Sequence, residues 1–155
     1  MARSKYKNKQ VEVDGITFDS ALESQYYLHL KQLQEQGIVK SFEMQKTFLL
    51  LEGYSIEGKK RQSIKFTPDF IVHYADDTTR VIDVKGSEMA ISRDFPLRKK
   101  MFECRYQMPL DVVMWSSIDG GWIEYEALKK ARRLRKKNKE PAKKRGGEMT
   151  NAKST

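Results

Sequence analysis

The sequence is poor in the residues that usually announce a site. It holds one cysteine, Cys104, which excludes an intramolecular disulfide framework and fits a reducing compartment. No nucleophile pattern surrounds Cys104, so it is expected in the core. Two histidines, His29 and His73, cannot build a histidine-rich zinc centre. His73 reads as an ordinary strand residue near a loop. No apolar run approaches the roughly 20 residues of a membrane-spanning helix. The opening "MARSKYKNKQ" carries charge with no apolar stretch behind it, so a secretory leader is not expected. Neither a nucleophile elbow nor a P-loop appears, which leaves no signal for serine hydrolysis or nucleotide-driven motion. A cytoplasmic protein is the expectation.

What is present suffices for one folded domain. Of 155 residues, 39% are apolar and 10% aromatic, enough to furnish a core. The net charge of +9 is unevenly placed. Residues 1–10 carry +4 and residues 129–145 carry +10, whereas 11–128 carry −5. The expected organisation is therefore a basic arm over 1–10, a mildly acidic domain over 11–128, and a basic helix with a disordered tail over 129–155. Basic segments of this kind suit a polyanion, most simply nucleic acid, although a solvated charge run needs no partner.

Periodicity places the elements. "VEVDGITFDS" predicts strand, turn and strand around Asp14-Gly15. Leu22, Tyr26, Leu30 and Leu33 form a helical stripe over 20–36, stopped by Gly37. "VKSFEMQKTFLLL" supplies one long strand or two short ones, and "EGYSIEGKKRQ" reads as a polar connection. "IKFTPDFIVHY" is a strand regular from near Pro68, and "ADDTT" turns it into "RVIDVKG" as a hairpin. A helix over 93–106 with Asp94 as cap, the strand "LDVVMWSS", and a helix from near Tyr125 complete an α/β domain with a mixed central sheet flanked by helices.

The hairpin is where chemistry is expected. Strand side chains alternate faces, so Phe70, Val72, Ile82 and Val84 facing one layer send Asp69, Asp83 and Lys85 to the other. A three-residue loop pairing Thr79 with Ala75 sets Asp69 opposite Lys85 and diagonal to Asp83. Opposed Cβ atoms lie about 5 Å apart and diagonal ones about 7–8 Å. An even loop without a bulge would part the two aspartates. Carboxylates this close repel unless a cation lies between them, and Mg²⁺, or Mn²⁺, suits an all-oxygen site that also admits phosphate and water. Lys85 beside it would stabilise charge on phosphorus or orient water. Gly86 permits a close backbone approach, for example to phosphate. A surface pairing of Asp83 with Lys85 is the plain alternative.

"PDF…IDVKG", with Asp69 and Asp83 separated by 13 residues, resembles the PD-(D/E)xK nuclease superfamily, which includes Holliday-junction resolvases, restriction enzymes and phage nucleases. The "FDSALESQYYLHL" helix and the "DVKG" strand resemble a phage-encoded branch. The resemblance implies a restriction-endonuclease-like core over about 17–116. It also implies Asp69, Asp83 and the Val84 backbone carbonyl as metal ligands, Glu23 as ligand or water anchor, and Lys85 as catalytic lysine. Glu23 has a competing reading: Ser20-Ala21-Leu22-Glu23 is a capping box, unless Asp19 caps the helix and releases it. Some superfamily members place a glutamine near the site, which makes Gln45 a candidate beside its reading as a polar strand residue.

Cations come next. Arg98, Lys99 and Lys100 lie on the helix after the hairpin, bordering the scissile phosphate or on a solvated face. Eleven of the 17 residues from Lys129 to Arg145 are Lys or Arg, among them Lys130, Arg132, Arg133, Arg135, Lys136 and Lys137. Contacts of this type confer affinity without sequence readout. Lys5, Lys7 and Lys9 would grip a second DNA arm or simply solubilise the terminus. The expectation is a Mg²⁺-dependent DNA endonuclease acting on branched or junction DNA in phage recombination or replication, and therefore a homodimer. A nicking or end-processing nuclease and a non-catalytic DNA-binding protein on a nuclease fold are the alternatives.

Overall fold

The computed structural model of the chain describes residues 9–139. Lys5 and Lys7 of the basic arm, and the tail beyond Lys139, lie outside them. Strands β1 (Val11–Val13) and β2 (Ile16–Phe18) form a tight hairpin. Asp14 and Gly15 both take left-handed φ, 53° and 74°, as a type I′ turn requires. Ser20 then caps helix α1 (Ala21–Glu35), its Oγ accepting the Glu23 amide at 3.2 Å. Tyr26, Tyr27 and Leu30 are its buried apolar residues, beside a buried Ser24, with Leu22 and Leu33 half-buried at the stripe's ends. Gly37, at φ 75°, ends the helix while the Ile38 amide reaches back to Leu33.

Strand β3 (Val39–Met44) enters the main sheet. An arm follows, made of β4 (Phe48–Leu51), β5 (Tyr54–Ile56), β6 (Lys59–Arg61) and β7 (Ile64–Phe66). β4 pairs with β7 and β5 with β6, so the arm is one hairpin nested in another. The stretch expected to be a plain polar connection is thus the paired tip of that arm. The chain then makes β8 (Phe70–Tyr74) and β9 (Thr79–Val84). The regular strand starts at Phe70 rather than Pro68, because "IKF" pairs with β4 instead of continuing into β8. After a 3-10 turn (Glu88–Ala90) come helix α2 (Phe95–Tyr106) and β10 (Leu110–Ser116).

β3, β8 and β9 form an antiparallel meander, and β10 joins β9 in parallel. Four successive residues of β9, Val81 to Val84, are buried, as expected of a strand flanked on both sides rather than at an edge. α1 packs against β3 and β9, and Tyr26 meets Phe70 at 5.4 Å between ring centroids. Burying a side chain such as Phe70, 1% exposed, contributes about 2–3 kcal/mol from area alone. α2 packs on the arm: Phe102 meets Phe48 at 5.0 Å, and the Tyr106 hydroxyl donates to the Leu49 carbonyl at 2.7 Å.

The chain divides into two compact units within β10, between Met114 and Trp115. The second unit holds the end of β10, a turn, β11 (Gly121–Glu124) and helix α3 (Tyr125–Lys139). β11 was hidden in sequence behind the glycines that open it. Gly121, at φ 120°, lies where a Cβ would come within 3.3 Å of the Trp115 ring. The result is a mixed α/β fold, compatible with a restriction-endonuclease-like core. Among the described residues no helix is long and apolar enough to cross a membrane.

Candidate active site

The loop between β8 and β9 decides whether the two aspartates meet. Asp76 accepts hydrogen bonds from the Thr78 amide and hydroxyl, at 3.0 and 2.6 Å, and Asp77 takes a left-handed φ of 66°. The Tyr74 amide then donates to the Thr78 carbonyl at 2.9 Å, which closes a loop of three residues. Thr79 accordingly pairs with His73, not with Ala75 as expected. A shift of two residues keeps every side chain on its face but changes its partner. Phe70 pairs with Ile82, and one step further Asp69 stands opposite Asp83 rather than opposite Lys85. The charge of Asp83 acts directly on the Asp69 carboxyl, which places the two side chains together.

The end of the ladder explains how Asp69 is held. Amides of Val81 and Lys85 donate toward β10, to Pro109 and Val113 carbonyls at 2.9 and 3.0 Å. Val84 points its amide the other way, toward a β8 that begins only at Phe70. The Asp69 carboxylate takes that amide at 2.7 Å. Lys85 Nζ lies 3.0 Å from Asp83 Oδ2, and Asp83 is only 5% exposed, so this is not the surface pairing that sequence allowed.

Burial, then the charge of Asp83, pushes the Asp69 carboxyl up to about 8, although the Val84 amide works against the rise. Glu23 is also raised, first by burial; the Ser20 hydroxyl and Lys85 pull it down, while Asp19 and Asp83 push it up. Ser20 is the cap, yet its hydroxyl also donates to Glu23 Oε1 at 3.2 Å, so Glu23 is at once a capping partner and a member of the carboxylate group. What brings α1 this close is Gly86: a Cβ there would approach Leu22 Cδ1 to 3.1 Å. The close approach expected at Gly86 is therefore made by a helix side chain.

A cavity of about 360 Å³ opens beside the carboxylates, lined by β2, Asp19, Glu23, Met44, Gln45, Asp69 and Phe70. Gln45 holds a left-handed φ of 55°, and its amide donates to the Asp69 carbonyl at 3.3 Å. Sequence reasoning missed the β2 wall, since nothing in "ITF" distinguishes it from any short strand. Among the described residues no group of three or more His, Cys, Asp or Glu side chains is arranged to hold a metal. The donor set on offer is the Asp69–Asp83 pair, with Glu23 in its field. The excess negative charge that raises Asp69 is what a hard cation would relieve.

The remaining candidates scatter. His73 is tied to Thr79 and Glu43 at the loop end of β8, and His29 rests against the Tyr26 ring. Cys104 is exposed, not core: it lies two residues, about 200° of helix rotation, from the buried Phe102. Arg98 bonds Asp94 at 2.6 Å, which leaves Asp94 without a capping bond, while Lys99 is half-buried and Lys100 exposed. On α3, Lys129 pairs with Glu126 and Arg135 grips Asp119 through two nitrogens, so neither is spare. Lys130, Arg132, Arg133, Lys136 and Lys137 are exposed.

A family model described as "Protein of unknown function (DUF1064)" matches residues 3–136, and the chain belongs to that family. No curated protein and no solved structure matches the chain.

Proposed function

We propose that this family member is a metal-dependent DNA endonuclease that hydrolyses phosphodiester bonds at the mouth of the Glu23–Asp69 cavity. The observation that carries the reading is the meeting of Asp69 with Asp83 at the end of the hairpin, with Lys85 3.0 Å from Asp83. Asp69, Asp83 and the Val84 carbonyl would hold Mg²⁺ or Mn²⁺, which supplies Lewis acidity toward a phosphodiester when bound, with Glu23 as the water anchor beside it. The chain's own residues prepare the rest. The Val84 amide fixes the Asp69 carboxylate, and Asp83 holds the Lys85 ammonium in the site, where it can donate to a phosphate oxygen or orient water. Glu23, raised by burial, is placed to accept the proton that water loses as its oxygen bonds phosphorus and the 3′ oxygen departs.

The exposed cations of α3 supply phosphate contacts without base readout. They suit a substrate recognised by shape, so we assign branched or junction DNA, cut by a homodimer because resolution needs two nicks. The setting is phage recombination or replication in the bacterial cytoplasm. A non-catalytic DNA-binding protein is the rival. It is favoured by one observation: Asp83 and Lys85 satisfy each other, and Asp69 and Glu23 have Val84 and Ser20.

The deciding assay incubates linear, flapped and four-way DNA with the protein in Mg²⁺, in EDTA, and as Asp83→Asn. Cutting in Mg²⁺ alone, lost in the variant, is the expected result. Binding without cutting supports the rival, and cutting only of nicked or flapped ends moves the substrate to end processing.

A further inference from the structure

The arm between Gln45 and Asp69 leaves the catalytic residues and returns to them. Its base is closed by the Gln45 amide on the Asp69 carbonyl, and just beyond by the Thr47 and Thr67 hydroxyls, 2.9 Å apart. The β4–β7 stem is anchored through Phe48 and Phe66, which both meet Phe102 of α2. Past Leu51 the aromatic anchoring stops, and Arg105 of α2 reaches Glu52 at 3.6 Å. β5 and β6 form a separate two-stranded ribbon in which every residue is exposed. Such a ribbon is marginal by itself, and its register is fixed by the type I′ turn at Glu57 and Gly58, with φ 48° and 72°.

Register decides what the ribbon presents. Tyr54 pairs with Arg61 and Ile56 with Lys59, so these four side chains share one face. Tyr54 and Ile56 are 52% and 55% exposed, each with a cation directly across the ribbon. Lys60 lies on the reverse face opposite Ser55. Among the described residues none of Lys59, Lys60 and Arg61 is in an ion pair. Lysine alone on an edge strand guards against aggregation. That role does not call for an exposed tyrosine and isoleucine between the cations.

We propose that the β5–β6 tip is a DNA contact that enters a groove of the duplex at a distance from the cut phosphate, an assignment that rests on the nuclease reading above. A two-stranded ribbon fits the major groove, which is about 12 Å wide. Tyr54 and Ile56 cover base edges and sugars, Lys59 and Arg61 reach phosphates from the same face, and Lys60 reaches one from the reverse face. The turn at Glu57 lies ten residue steps beyond Thr47, a reach of at most about 33 Å at strand rise. That is close to one turn of B-DNA, about 34 Å. The arm would thus fix how far the cut lies from the gripped groove.

The test measures binding of the full chain to a fluorescent duplex three helical turns long, in EDTA, across a salt series. Wild type is compared with the Lys59→Ala/Lys60→Ala/Arg61→Ala variant and with Tyr54→Ala/Ile56→Ala. The first should weaken binding about tenfold or more and lower the salt slope by about 2–3, at roughly 0.9 per phosphate contact. The second should weaken binding with the slope unchanged. Thermal unfolding monitors the fold. If alanine lowers it, Lys59→Gln/Lys60→Gln/Arg61→Gln carries the charge test, because the longer side chains keep the ribbon's surface. Wild-type binding in EDTA, with cutting in a parallel Mg²⁺ assay and both variants unaffected, would overturn the tip as a DNA contact, leave the nuclease reading standing, and direct the ribbon to an acidic protein surface. Failure of wild type to bind or cut linear, flapped or four-way DNA would instead overturn the nuclease reading itself.

Discussion

The β8–β9 and β5–β6 hairpins share an antiparallel topology and differ in almost everything else. At the open end of β8–β9 the charges are withdrawn from water, with Asp83 buried and Asp69 and Lys85 half-buried; in β5–β6 the cations Lys59, Lys60 and Arg61 are exposed. Burial makes the Asp69–Asp83 pair energetically uneasy, so it reacts to a cation, a proton or a phosphate at close range. Exposure leaves Lys59, Lys60 and Arg61 hydrated and cheap, useful for attraction over a screening length of about 8–10 Å rather than for chemistry. The same residue classes thus do different work according to the water around them.

Charge removal should separate the two hairpins most sharply in catalysis. Asp83→Asn is expected to slow cleavage about 10²–10³-fold, read in single-turnover gels; an unchanged rate would move the centre elsewhere. Next in size is stability of the metal-free protein. Folding holds Asp69 near 8 against about 3.9 for a free aspartate, so its contribution is fully present below about pH 4 and is lost as pH rises toward 8. Asp69→Asn, which keeps an acceptor for the Val84 amide, should flatten that dependence and raise Tm at pH 8 by about 5 °C. Mg²⁺ should raise the wild-type Tm there and leave the variant's alone. A Tm indifferent to both pH and substitution would mean the pair is not strained.

Ser20→Ala is expected to cost about 1 kcal/mol in denaturant unfolding by loss of the helix cap. It also removes the hydroxyl that holds Glu23 down, so the acid limb of the pH–rate profile should move upward. The smallest effect belongs to the tip. Ile56→Thr should change stability by no more than about 0.5 kcal/mol, and a larger loss would show that the ribbon is packed after all.

Legibility followed the range of the interactions. Alternation in "DFIVHY" and "RVIDVK" told which residues share a face, because the period of two survives any even shift. The exact partner of Asp69 was not readable, since it depends on Asp76 reaching Thr78 in the loop. The helix stripe and the Ser20 cap were local and plain. The meeting of α1 with the end of β9 was not, because Leu22 and Gly86 are distant in sequence. The β5–β6 ribbon was hidden by its own exposure: "YSI" and "KKR" have no buried face, and hence no hydrophobic pattern to betray a strand.

One consequence follows from the clasp between Gln45 and Asp69. A segment that departs and arrives at hydrogen-bonded neighbours adds no net displacement to the chain. Residues 46–68 are therefore a cassette: they can lengthen, shorten or change their chemistry while Met44 and Phe70 remain partners in the sheet. The carboxylates stay where the sheet sets them, whatever the arm becomes.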